Sequence, residues 1–317
     1  MAYRSEERDV PTIYFIGVTT AHSSIMRVFP RWAELLGLQA QIVGVDFALH
    51  DEREAYRSIV DHIRRDPLSM GALVTTHKLD LLQASHDLFD ELGGYATQLH
   101  EVSCISKRGE HLVGEALDPL TSGLALDAFF PDRTWREGSG EVLLLGAGGS
   151  SLALTVNLLE RAVLGRPSPA RIVVSNRSQG RLDEMRAVHA AFRAAVRIEY
   201  ELAPLPEDND RLLARMAPGS LIVNATGLGK DRPGSPLTDA ASFPAEAFAW
   251  DFNYRGALLF LDQARRQQAT RRLCLEDGWV YFLHGWTRVI SEVFHIDIPT
   301  EGPRFDALSD TAREARG

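Results

Sequence analysis

The sequence predicts an α/β protein of two domains, each a mostly parallel sheet with helices on both faces. Three observations carry this. The chain has 317 residues, about two domains at ~150 residues apiece. Hydrophobic residues make up 45% and charged residues 24%, an ordinary globular composition with material for real cores. Short apolar, β-branched runs alternate with helix-like stretches almost throughout, the arrangement that buries a parallel sheet between helices.

The elements follow in order. Residues 13–18, 41–47 and 71–74 read as buried strands, each followed by a helical stretch. The first helix is expected over 24–36, with Pro30 in its first turn or kinking it, and Gly37 closing it. Residues 103–107 and 111–116 read as a hairpin turning at Gly109. A polar stretch, 133–140, is the expected linker. The second block has strands at 142–145, 171–175, 197–202, 221–224 and 249–252, separated by helices. A last helix, 278–294, carries Val280, Leu283, Val289, Ile290 and Val293 at roughly helical spacing and is expected to pack back on the first domain. Residues 303–317 are charged and read as a frayed tail. No internal repeat or low-complexity tract is present.

Several functions are disfavoured at once. The net charge of −9 disfavours nucleic acid, whose affinity comes mainly from neutralised phosphates. No polybasic run stands beside an amphipathic stretch, and no apolar run approaches the ~20 residues that span a bilayer. Residues 1–10 lack the apolar region of a signal peptide. The chain therefore reads as soluble and cytoplasmic, with a small-molecule partner and a monomeric or homodimeric state. Cys104 and Cys274 are read as small buried hydrophobes, and His22, His77 and His284 lack metal-ligand spacing, so no metal is expected.

The apolar run Leu143-Leu144-Leu145 leads directly into Gly146-Ala147-Gly148-Gly149-Ser150-Ser151 and then a helix. Gly146 permits a tight turn, Gly148 lets backbone approach a pyrophosphate, and the helix N-terminus offers free N–H groups. Ser151 occupies the third fingerprint position in place of Gly or Ala. A Gly-rich turn without ligand is the alternative. The next strand ends at Asn176-Arg177-Ser178, with Arg181 one turn on. An acid here would accept from the ribose of NAD, whereas guanidinium groups suit a 2′-phosphate. NADP is the expected cofactor, unless both arginines are merely solvated helix-start residues.

Lys78 follows the strand 71–74 where a helix should begin, a position the helix dipole mildly disfavours. Alone it reads rather as a surface lysine, and Asp118, before Pro119, equally as a helix N-cap.

At this point the order of motifs resembles shikimate dehydrogenase and its quinate-dehydrogenase relatives over nearly the whole chain. The matching stretches are Gly17 to His22-Ser23, Gly71-Ala72 through Val74-Thr75 to Lys78, and Gly114 to Asp118. They continue with Gly146 to Gly149, Asn176-Arg177-Ser178 with Arg181, Asn224-Ala225-Thr226, Asp251 to Tyr254, and the helix from Gly278. The resemblance implies a substrate domain (1–132, completed by 276–317), a Rossmann-like NADP domain (133–275), and Lys78 with Asp118 as the catalytic pair. It further implies substrate contacts from Ser23, Thr75, Ser103 and Tyr254. The last reads equally as a capping aromatic. Asn224 with Thr226 belongs to the cofactor side, and Leu228 lies nearby.

The departures fall among substrate contacts. The family's Ser-x-Ser-Pro is Ser23-Ser24-Ile25-Met26, and its Asn-Val-Thr-x-Pro-x-Lys is Leu73-Val74-Thr75-Thr76-His77-Lys78. Its two Asn-Thr pairs are Ser103-Cys104 and Ala116-Leu117, and its Gln on the final helix is His284, a replacement contact or a packing histidine. Losing such donors should redirect specificity. The reading is an NADP-dependent dehydrogenase interconverting a ring secondary alcohol and its ketone, on shikimate or rather on a related alicyclic acid or cyclitol. The alternatives are a redox-silent ligand-binding regulator of the same fold and a non-redox enzyme, such as a dehydratase, using the same lysine.

Overall fold

A computed structural model describes residues 8–131, 135, 140–230 and 232–316. The chain divides into two compact units, 1–117 with 285–317, and 118–284. No described helix is long and apolar enough to cross a membrane.

The first unit is built on β1 (Thr12–Gly17), buried along its whole length because Ile13, Tyr14, Phe15 and Ile16 are apolar on both faces. It pairs in parallel with β2 (Gln41–Asp46) and β3 (Ser69–Val74). The hairpin β5 (Cys104–Arg108) and β6 (His111–Glu115) adds antiparallel to β3, and short β4 (Glu91–Leu92) closes the order β2-β1-β3-β5-β6-β4. Helix α1 (Ile25–Leu36) buries Ile25, Val28, Phe29, Trp32 and Ala33, one stripe of the helix. Pro30 lies inside this helix, past its first turn, and Gly37 ends it at φ +71°. Helix α2 (Arg53–Arg65) is closed by a residue of the hairpin. The buried Lys107 Nζ donates to the carbonyls of Ile63, Arg64 and Asp66, at 2.8, 3.2 and 2.7 Å. Helices α3 (Lys78–Ser85) and α4 (Gly94–Leu99) complete the middle of the unit.

The second unit begins with α5 (Asp118–Phe129) and continues β7 (Glu141–Leu145), α6 (Gly149–Val163), β8 (Arg171–Asn176), α7 (Gln179–His189), β9 (Arg197–Leu202) and α8 (Pro206–Leu213). It goes on through β10 (Leu221–Asn224), β11 (Phe248–Asp251), α9 (Leu259–Arg265), α10 (Gln268–Arg271), β12 (Cys274–Glu276) and the start of α11 (Trp279–Phe294). All six strands are parallel in the order β12-β11-β10-β7-β8-β9. This is the doubly wound order, with its topological switch between β7 and β10. Apolar clusters cover both faces of the sheet, one around Leu143, Ile222 and Phe260, the other around Leu144, Val174 and Trp250.

The division between units differs from the sequence expectation of 132/133 and 275/276. Arg161 on α6, buried, donates to both carboxylate oxygens of Asp127 and to the Gly123 carbonyl on α5. A Cβ on Gly123 would fall 2.3 Å from Asn157 Nδ2, so a side chain there would have to displace the Asn157 amide. Those contacts tie α5 to the second unit. Helix α11 serves both. Trp279 and Phe282 stack within the second unit, while Trp286 meets Phe15 at 5.1 Å and Phe294 meets Phe29 at 6.2 Å in the first.

Two expectations are corrected. The stretch expected to fray is helical over its described residues, Pro303–Arg316, which form α12. Phe305, Leu308, Ala312 and Ala315 are buried, and the Leu308 carbonyl accepts from Trp32 Nε1 at 2.8 Å. Cys104 is buried as expected, but Cys274 is exposed, because it opens the edge strand β12, which the sequence reading missed. The linker expected at 133–140 lies, apart from Trp135 and Gly140, outside the described residues.

Candidate active site

In the second unit, the carboxyl ends of β7, β8 and β10 open onto a cavity of about 480 Å³. Gly146, Ala147, Gly148, Asn176, Arg177, Ser178, Arg181 and Thr226 line it, as does Leu228. Gly149, Ser150 and Asn224 do not. Gly149 and Ser150 instead form the first turn of α6, whose N-cap is Gly148.

The loop's chemistry follows from its residues. Gly146 has φ +106°, and a Cβ there would stand 2.9 Å from the Ala225 carbonyl oxygen, so both conformation and space require glycine. Gly148 has ordinary backbone angles and nothing within 4 Å of a would-be Cβ. Its missing side chain leaves open space in front of the helix N-terminus, where a phosphate can reach the free N–H groups. Ser151, fully buried, donates its hydroxyl to the Gly146 carbonyl, which explains a serine at the third fingerprint position: it ties the turn to the helix.

The cation set is larger than the sequence reading held. Arg232 joins Arg177 and Arg181, and no described lining residue is acidic. Arg181 is exposed and pairs with Glu184 at 2.9 Å. Arg232 stands in the Gly- and Pro-containing loop after β10, and its position past a strand's carboxyl end was the available signal. Asn209 was also missed. It is positioned by accepting from Ser175 Oγ at 2.7 Å and donating to the Pro236 carbonyl at 2.9 Å. Three guanidinium groups, a glycine cradle and a helix N-terminus fit a dinucleotide with an extra phosphate.

In the first unit, Lys78 starts α3 just past β3, and its side chain is mostly buried. Its ammonium lies 3.9 Å from Oε1 of Glu101, itself 3% exposed. The sequence reading missed Glu101, because one glutamate after a short helix carries no spacing signal. His77 holds the turn before Lys78. Fully enclosed, it donates from Nε2 to the Gly17 carbonyl and accepts at Nδ1 from Tyr56, both at 3.1 Å. Thr75 is half-buried, its N–H bonded to the Ile16 carbonyl at 2.9 Å. The buried Ser103 Oγ accepts from the Leu117 N–H at 2.8 Å, holding the backbone that leads to Asp118. Ser23 is half-buried after a 3₁₀ turn and His22 is exposed.

Asp118 opens α5 in the second unit, half-buried. Tyr254 packs its ring against Phe282 and Trp279, at 4.8 and 5.8 Å. His284 is 2% exposed on α11.

No protein-family model matches the chain. Among curated proteins it is 30% identical over 279 residues to the shikimate dehydrogenase (NADP+) of Methylobacterium radiotolerans, covering 86% of this chain and 88% of that one. It is also 30% identical over 189 residues to that of Symbiobacterium thermophilum, where the match spans 59% of this chain and 60% of the relative. Among solved structures, a shikimate dehydrogenase in complex with NADP+ shares the fold with a TM-score of 0.73 at 15% identity, covering 96% of this chain and 95% of that one. The 5-ketofructose reductase of Gluconobacter sp. strain CHM43 shares it with a TM-score of 0.66 at 17% identity, covering 96% and 98%. With an arginine-lined dinucleotide cavity, a doubly wound sheet and full-length relatives at this identity, the chain belongs to the NADP-dependent shikimate dehydrogenase family of oxidoreductases.

Proposed function

We propose that the protein interconverts a ring secondary alcohol and its ketone with NADP(H), on an alicyclic hydroxy acid or a cyclitol related to shikimate. The observation that carries this is the cavity over β7, β8 and β10, lined by three arginines and by no described acid. Gly146 to Gly148 would hold the pyrophosphate, and Arg177, Arg181 and Arg232 the 2′-phosphate side. The bound dinucleotide supplies hydride to the ketone or takes it from the alcohol. Lys78 gives a proton to the ketone oxygen as it becomes a hydroxyl, and takes that proton back in oxidation. Asp118 is assigned the orientation of the substrate hydroxyl. The domain roles follow, with the first unit holding substrate and the second the cofactor.

The substrate preference rests on the groups around Lys78. A buried carboxylate, Glu101, already balances that ammonium. Ile25, at a position where the family carries a hydroxyl, is a wholly buried core residue. Fewer donors are left for a substrate carboxylate, which favours rings recognised by their hydroxyls. The fold itself tolerates such a change, since it also carries the Gluconobacter reductase. The test is absorbance at the nicotinamide band with NADP+ and a panel of cyclic alcohols with and without a carboxylate. Turnover of a cyclitol above shikimate is the expected result. Cofactor binding without turnover of any ring alcohol would replace this reading with that of a redox-silent regulator.

A further inference from the structure

We propose that Asp251 is a positioning residue for cofactor binding: acting through Asn224 and Asn253, its ionised carboxylate holds the 226–228 loop at the edge of the dinucleotide cavity. This rests on the reading of that cavity as the NADP(H) site.

The argument starts from where the polar groups go. Asp251, at the end of β11, is completely buried, and so is Asn224 at the end of β10; Asn253 is 4% exposed. None of the three lines the cavity, whereas Thr226 and Leu228 do. One carboxylate oxygen, Oδ1, accepts from Asn224 Nδ2 at 3.1 Å and from the Asn253 N–H at 2.9 Å. Asn224 Oδ1 then accepts from both the N–H and the hydroxyl of Thr226, at 3.2 and 2.7 Å. The Leu228 N–H donates to Thr226 Oγ1 at 3.2 Å, and the Leu228 carbonyl accepts from Asn253 Nδ2 at 3.0 Å. Asp251 thus holds Asn224 by its side-chain amide and Asn253 by its backbone N–H, and the two asparagines in turn bond Thr226 and Leu228 in the loop.

The second carboxylate oxygen, Oδ2, is buried without a hydrogen-bond partner. An asparagine could make both Oδ1 contacts at lower desolvation cost, so the contacts alone do not explain an acid here. What the acid adds is charge, which strengthens each bond it accepts. Burial pushes its pKa up to about 6, helped by Asp277, against the bonds from Asn253 and Asn224. The charged groups nearby are Asp277 and, on β12 opposite Trp250, Glu276. The carboxyl therefore changes form in the mildly acidic range, and its grip on the loop changes with it.

The test compares wild type with Asp251→Asn in two measurements. Amide hydrogen exchange, without cofactor, should show faster exchange at Thr226 and Leu228 in the variant, with Ile222 and Val223 in β10 unaffected. Calorimetric titration with NADP+ should show binding weaker by about fivefold near neutral pH, the margin of a charge-assisted over a neutral hydrogen bond. That gap should close on acidification through the pKa of Asp251. Reading the gap between the two proteins removes the titration of the cofactor's own phosphate. Unchanged exchange at 226 and 228, or a gap independent of pH, overturns the proposal. Loosened exchange with no NADP+ binding by either protein would instead remove the reading of the cavity and leave the role of Asp251 in holding the loop. Should the variant not fold, wild-type exchange at Thr226 and Leu228, corrected for intrinsic rates, must step near the same pKa, and a flat profile overturns the idea.

Discussion

Arg177 and Arg181 are where a choice between two cofactors reduces to single side chains. Both line the dinucleotide cavity, and a guanidinium attracts a 2′-phosphate that a carboxylate would repel. Replacing both by alanine should weaken NADPH about 10²- to 10⁴-fold while leaving NADH nearly unchanged, since each charge-assisted bond contributes ~1.5–3 kcal/mol. Equal losses for the two coenzymes in a fluorescence titration would refute the assignment. Lys78 makes the sharper claim. Lys78→Ala should lower kcat by about 10²- to 10⁴-fold, the range of general acid–base catalysis, with cofactor affinity preserved. Near-normal turnover would end its proposed role. The two arginines were legible because their chemistry is tied to a position relative to a strand end, whereas Lys78 takes its proposed role from the family resemblance. Arg232 carried the same strand-end signal, whereas Glu101 and Asn209 did not, because each reaches its place through a loop or helix packing that no local spacing encodes.

At the scale of elements, Lys107 shows how a hairpin finishes a helix. Its ammonium satisfies three carbonyls at the end of α2 that have no partner within the helix. Burial pulls its pKa down, opposed by Asp66. Lys107→Met keeps the apolar stem but leaves the Ile63 and Arg64 carbonyls without this donor, while the Asp66 carbonyl keeps the Ser69 N–H at 3.1 Å. It should destabilise the protein by about 2 kcal/mol in urea unfolding. A change within experimental error would mean that water replaces the cap. Helix α12 teaches the opposite lesson about composition. Its charged residues hid Phe305, Leu308, Ala312 and Ala315, whose spacing of three and four puts them on one buried stripe. Counting periodicity instead of polarity would have found it. Strands β4 and β12, two and three residues long, are too short to carry a period-2 signal and exist only because a neighbouring strand offers its edge.

For the whole molecule, two buried groups set opposing responses to pH. Burial holds His189 down to about 4; its ring bonds Thr155 Oγ1 at 2.7 Å and Tyr200 Oη at 2.8 Å, joining α6, α7 and β9. Its folded pKa lies below the unfolded value, so the unfolded chain binds the proton first. The stability it supplies is present above about 6.5 and is lost as pH falls toward 4. Asp251 runs the other way. Its folded pKa of about 6 lies above the unfolded value, so its term is fully present below about 4 and is lost as pH rises through 6. Each is on the order of 3 kcal/mol, and between pH 4 and 6 they offset. Relative to wild type, His189→Gln should therefore gain stability as pH falls across that window, and Asp251→Asn should lose it. Urea unfolding at several pH values reads both slopes, and parallel profiles for the two variants would refute the pairing.

The sequence by itself determined the strand–helix alternation, the glycine turn after β7 and the arginines after β8. These are local patterns, because side-chain period and backbone freedom act over a few residues. Only the tertiary structure decided that Ser151 ties the glycine turn, that Glu101 stands beside Lys78, that α5 joins the second unit through Arg161, and that a buried carboxylate underlies the 226–228 loop. Such contacts join residues far apart in the chain or depend on burial. Their energies arise from desolvation and packing, which exist only once the chain has folded.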